Sequence, residues 1–133
     1  MSSDQISENE NKLRARISAG SRKTTYKDGE YIFREGEPGD TAFVLFSGKV
    51  QITRRIDGKT SPVGIVNIGG MFGEMALIDD AARMATARAV GQSTEVLVVS
   101  RRIFEKKLEN ADPFLRALIT ILAKRVRPMG NKY

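Results

Sequence analysis

A mainly β fold, a small barrel or jelly-roll-like sandwich with helices at its ends, is predicted by three features of this 133-residue sequence. From Lys23 to Ser100, short β-rich runs alternate with glycine-bearing turns. On either side of that stretch the apolar spacing becomes helical. The length suits a core that needs no disulfide, and the chain has no cysteine to form one. We read residues 1–133 as a single domain, with an N-terminal helix at 7–19, a β region at 23–100 and C-terminal helices at 101–127.

Each element has a local reason. Ser7 and Glu10 form a capping-box pair, Leu13 and Ile17 give an i, i+4 apolar stripe, and Gly20 is a natural stop. Strands are expected at Tyr31–Phe33, Ala42–Phe46, Val50–Thr53, Val63–Ile68, Thr86–Val90 and Glu95–Val99. Turn signals separate them: Asp28-Gly29, the run Glu35 to Asp40, Ser47-Gly48, Asp57-Gly58 and Gly69-Gly70. Asp57-Gly58 has the composition of a hairpin tip. After Ser100, Ile103, Phe104 and Leu108 line one face of a helix ending near Asn110. Asp112-Pro113 is a cap followed by proline at the first helical position. The helix it opens carries a wide apolar arc, with Phe114, Leu115, Leu118, Ile119, Ile121, Leu122 and Val126, and Pro128 is its expected end. An arc that wide needs more than one surface to cover it.

Composition narrows the function. There is no histidine and no cysteine, which removes imidazole bases, thiol nucleophiles, zinc-thiolate sites and nearly every transition-metal site. A binding protein is therefore favoured over an enzyme, and no metal is expected. The formal charge is +6, yet residues 101–133 hold nine basic against three acidic residues, so that quarter carries the whole surplus. A DNA-binding surface spread over the domain does not look like that. The N-terminus is polar and acidic, unlike a signal peptide, and the apolar stretch Phe114 to Ala123 is far short of the roughly 20 residues of a bilayer span. A cytoplasmic protein is the expectation.

One stretch carries chemistry. A glycine-rich lead-in, Gly69, Gly70 and Gly73, runs into a helix-prone segment from Glu74 to Ile78. The start of such a segment points free N–H groups outward, where an anion can bind. Nine residues after Glu74 comes Arg83, flanked by Ala81, Ala82, Met84 and Ala85. An arginine among small and apolar neighbours needs a partner, and its planar fork suits phosphate oxygens. Glu74 can accept hydrogen bonds from hydroxyls. Together these suit a nucleoside phosphate. On the same features, Glu74 and Arg83 also suit a structural salt bridge with each other.

At these residues the sequence resembles the cyclic nucleotide-binding domain family. Phe72-Gly73-Glu74-Met75-Ala76-Leu77 through Arg83-Met84-Ala85-Thr86 resembles that family's phosphate-binding cassette. Glu35-Gly36-Glu37-Pro38-Gly39-Asp40, followed by Phe43 to Phe46 and Gly48, resembles its upstream strand–turn signature. The resemblance implies a β-roll with an N-terminal helix, a short cassette helix and two C-terminal helices that move on ligand binding. It implies that Arg83 grips the cyclic phosphate, that Glu74 accepts the ribose 2′-hydroxyl, and that N–H groups at Gly73, Glu74, Met75, Ala76 and Met84 complete the cradle. Ile52, on the strand after Gly48, suits either an apolar contact with the purine or plain core. Two positions depart from the family pattern: Ala82 stands where proline is common, and Met84 where a small or hydroxyl residue often follows the arginine. Methionine supplies no hydroxyl for a guanine amine, and its thioether packs on a purine face. The implied ligand is thus cAMP before cGMP, with no other cofactor.

The function implied is a cyclic-nucleotide sensor that relays binding through the helix Asp112 to Arg127, either to a protein partner or a second copy, or to an output domain outside this chain. Leu122, Lys124, Arg125 and Val126 are the candidates to cap the purine. Only six residues follow Arg127, too few for a DNA-binding module of about 50, so no DNA binding is expected from this chain. The alternative is a β-roll interaction module that binds protein and no ligand. A metal-dependent enzyme on a related barrel is disfavoured by the missing histidines.

Overall fold

The computed structural model describes residue 8 and residues 22–129. Eight strands are present: β1 (Arg22–Tyr26), β2 (Tyr31–Phe33), β3 (Thr41–Ser47), β4 (Val50–Ile56), β5 (Lys59–Val66), β6 (Met71–Phe72), β7 (Thr86–Ala89) and β8 (Thr94–Ser100). They form two antiparallel four-stranded sheets, ordered β1-β8-β3-β6 and β2-β7-β4-β5.

This overturns the expected β-roll or jelly-roll-like barrel. Neither sheet closes on itself: β1 and β6 end one, β2 and β5 the other. The reason lies in β6, which is two residues long and meets β3 only at Phe72–Phe43 and Met71–Val44. A strand that short has no ladder groups left to carry a sheet round to β5. The helical content differs as well. The expected N-terminal helix at 7–19 lies outside the described residues except for Glu8, which is helical. In place of a cassette helix there is one 3-10 turn, Glu74–Leu77. Four residues are too few to repay the nucleation of an α-helix. Met75, Ala76 and Leu77 are all buried in that single turn, and exposed Ile78 gives no apolar repeat to extend it.

Two α-helices follow the sheets, α1 (Arg101–Glu109) and α2 (Pro113–Met129). Ser100 caps α1 by accepting the Ile103 N–H at 3.2 Å. Asp112 accepts the Phe114 N–H at 2.8 Å and so opens α2, which takes Pro128 into its last turn. Among the described residues no helix is long and apolar enough to cross a membrane.

The core lies between the sheets. Phe43, Leu45, Phe72, Val96 and Val98 come from one sheet, and Phe33, Val50, Ile52, Val66 and Ala87 from the other. Val50 and Ile52 alternate with half-exposed neighbours along β4, as the period of a strand requires. The β4–β5 hairpin turns at Asp57-Gly58, both at positive φ (52° and 78°). The 3-10 turn packs on β3 and on α1, which places the cassette at the rim of the core.

Candidate functional site

Three segments meet at that rim: the loop before β3, the turn after β6 and the segment before β7. The chain leaves buried Phe72 through Gly73, whose φ of 71° is left-handed. A Cβ there would stand 2.9 Å from Arg83 Nη1 and 3.1 Å from the Phe33 ring, so glycine is required twice over. Inside the turn the Ala76 N–H donates to Gly73 O at 3.3 Å. The N–H groups of Gly73, Glu74 and Met75 come before any possible intra-turn acceptor.

Arg83 is fixed by its own backbone. Its N–H donates to Glu37 O, and its carbonyl accepts the Gly36 N–H, both at 2.9 Å. This stitches the segment to the loop that precedes β3. The side chain then runs inward and is only 9% exposed. Its guanidinium carbon lies 4.2 Å from the Phe33 ring centroid and 5.8 Å from that of Phe43. Nη1 donates to Gly73 O at 3.3 Å and Nη2 to Thr41 Oγ1 at 3.1 Å. Gly39 lets the guanidinium through, because a Cβ at that position would fall 2.3 Å from Nε.

Two polar atoms are buried there without a hydrogen-bond partner: Arg83 Nε and Glu74 Oε2. Glu74 and Arg83 make no ion pair with each other, so the structural salt bridge is not the arrangement adopted. Burial holds the Arg83 pKa below its ordinary value, and the carboxylates of Asp40 and Glu37 push it back up in part. The guanidinium still has no carboxylate in contact.

Five of the residues singled out from the sequence, Gly73, Met75, Ala76, Arg83 and Met84, line one cavity with Phe33, Ala81 and Ala82. It measures about 10 Å³, room for one water at most. Ile52 is elsewhere. It is fully buried between the sheets, opposite Ala87 and Gly64, and does not line the cavity. Of the four capping candidates only Leu122 has a described side chain, and it is half exposed on α2. Three residues of the site were not singled out from the sequence: Phe33, Gly39 as the guanidinium's neighbour, and Thr41. Gly39 did stand in the Glu35–Asp40 signature, whereas Thr41 carried no signal at all.

A sequence profile of the cyclic nucleotide-binding domain family matches residues 23–111, which takes in the three segments that meet at the rim. The chain belongs to the cyclic nucleotide-binding domain family.

Members that it resembles are of several kinds. The cGMP-dependent protein kinase egl-4 of Caenorhabditis elegans is 42% identical over 83 residues, 61% of this chain and 11% of the kinase. The CRP-like cAMP-activated global transcriptional regulator of Mycobacterium tuberculosis is 35% identical over 106 residues, 77% of this chain and 46% of the regulator. The EAL enzyme Bd1971 in its halfsite-occupied form superposes with a TM-score of 0.71 at 31% identity, covering 82% of this chain and 97% of that one. The chain therefore spans a small part of the kinase and under half of the regulator. It corresponds to the non-catalytic, ligand-binding regulatory module of such proteins and is not itself an enzyme.

Proposed function

We propose that this domain senses cyclic nucleotide at the Gly73–Met84 cassette, takes cAMP in preference to cGMP, and relays occupancy through α2 to a partner or to an output domain. One observation carries the reading. A buried guanidinium and a half-buried carboxylate sit in one cassette, do not pair, and each keeps one buried, unmated polar atom. Buried groups of this kind cost stability unless something satisfies them. A cyclic phosphate is a compact monoanion whose oxygens suit Arg83, and a ribose hydroxyl suits Glu74. The chemistry is recognition without reaction, and the cytoplasm is where such a sensor is placed.

The cavity is too small to enclose a nucleotide as it stands, so a nucleotide gripped by Arg83 displaces part of its wall. The stretch Asp79–Ala82 has no helical or strand ladder to hold it, so it is the segment that gives way, while the Arg83 backbone stays bonded to the loop before β3. Phe114, Leu118 and Leu122 stand exposed on α2, between 40% and 72%, which supports a helix that closes on the ligand or on a partner. The cAMP preference rests on Met84, which lines the cavity and offers no hydroxyl to a guanine amine. Relatives support both ligands: the Mycobacterium tuberculosis regulator is called cAMP-activated, and Bd1971 has been solved in cAMP-bound and cGMP-bound forms.

Thermal melting with each nucleotide tests the reading. A ligand present at about a hundred times its dissociation constant stabilises the native state by about 2.7 kcal/mol, so cAMP raises Tm by several degrees. The shift with cGMP at equal concentration is smaller. A larger cGMP shift overturns the preference. No shift with either nucleotide favours the ligand-free interaction module instead.

A further inference from the structure

Arg101 is the first residue of α1, yet its side chain does not follow the helix. It turns back onto the cassette. Nε and Nη2 donate to Ala76 O at 2.8 and 2.6 Å, Nη2 also donates to Asp79 O, and Nη1 pairs with Asp80. Its backbone N–H donates to Asp40 O at 2.8 Å, next to Thr41, which holds Arg83. A single residue thus joins the end of the 3-10 turn, the segment leading to Arg83, the loop under Arg83 and the start of the helices. A turn leaves its last carbonyls without partners, and a guanidinium has enough donors to serve several at once.

The surroundings make this a bridge and not a packed contact. Arg101, Asp40 and Asp80 border an open cavity of about 340 Å³, with Pro38 and Gly39 on its wall. The Asp80 side chain is 92% exposed and that of Arg101 only 23%, so the ion pair faces solvent and contributes little. The bonds to the Ala76 and Asp79 carbonyls carry the tie. Among the described residues, α1 packs mainly on two elements, β8 and the 3-10 turn.

We propose that Arg101 is a positioning residue that ties the cassette to α1, so that a cassette displaced by ligand moves the helices through this side chain. The proposal rests on the reading of the cassette as a cyclic-nucleotide site. Packed contacts and hydrogen-bond networks carry coupling between sites, and Arg101 supplies such a network at that junction, beside the packing of α1 on the 3-10 turn.

Hydrogen exchange on the full chain tests it in two arms. Without ligand, Arg101→Met raises exchange about tenfold or more in 78–84 and in 102–108 together, with the β4–β5 hairpin unchanged. With saturating cAMP, wild type changes protection in both segments. Arg101→Met keeps the cassette response and a Kd within about threefold, but loses the response at 102–108. Arg101→Lys restores part of that response, since an ammonium meets one carbonyl where the fork meets two, and Asp80→Asn leaves it intact. A full α1 response in Arg101→Met overturns the proposal, as does an exchange rise spread evenly over the sheets. If Arg101→Met does not fold, Arg101→Gln, uncharged and too short to reach both carbonyls, carries both arms. If wild type responds to neither cAMP nor cGMP, the nucleotide reading falls. The ligand-free arm then decides the tie alone, and unchanged exchange at 102–108 sinks it.

Discussion

The aromatic core and the cassette share a wall but are held together on opposite terms. Phe33, Phe43 and Phe72 stack with ring centroids 5.3 to 6.1 Å apart, and they bury no polar side-chain atom of their own. Burial of three rings contributes several kcal/mol and asks nothing in return but shape. Across the Phe33 ring lies the Arg83 guanidinium, 4.2 Å away. There the chain has hidden a charge without a carboxylate in contact and left Arg83 Nε and Glu74 Oε2 unmated. Each such atom costs about 1–3 kcal/mol. Folding explains the first region fully. On the proposed function, the second is completed by its ligand.

The comparison predicts opposite responses to substitution. Phe72→Ala removes a fully buried ring and lowers stability by about 3–5 kcal/mol in chemical denaturation, and a loss under about 1 kcal/mol would break the contrast. Arg83→Met replaces a buried charge with an apolar chain of similar length. Stability stays level or rises by about 1–2 kcal/mol, whereas a fall beyond about 2 kcal/mol would make Arg83 a structural residue. Glu74→Ala removes one hydroxyl acceptor, so cAMP affinity drops about tenfold by calorimetric titration. An unchanged affinity would take Glu74 out of the site.

The smallest effect belongs to the core side. Tyr26 packs against the cluster, and burial raises its pKa above the ordinary 10.0, with smaller opposing pushes from Arg22 (down) and Glu30 (up). The neutral phenol is the form the fold prefers, so its contribution is whole below the unfolded value and is lost as pH rises through the folded one. Melts taken above pH 10.0 should fall more steeply for wild type than for Tyr26→Phe.

How much of this was legible in the sequence depended on range. The Asp57-Gly58 hairpin and β2 were readable, because a turn and the runs beside it are local. Which strands pair is not local, and the expected barrel failed on that point at β6. β1 escaped notice because Arg22–Tyr26 is an edge strand with no fully buried residue and so no apolar run. Ile52 was open to two readings, and the register of β4 against β7 puts it in the core. Glu74 and Arg83 stood out because a glycine-rich lead-in and an arginine in an apolar setting are both visible in one window. Thr41 lies 42 residues from Arg83 and Arg101 25 from Ala76, and only the folded chain brings them together.

Calorimetric titration of cAMP into wild type and into Arg83→Met tests the central claim most directly. Wild type binds one nucleotide per chain, and Arg83→Met, still folded, loses at least about a hundredfold in affinity with its charge-assisted bonds to the phosphate. Equal affinity in the two proteins would contradict the account, because the phosphate would then have its partner somewhere other than the buried guanidinium.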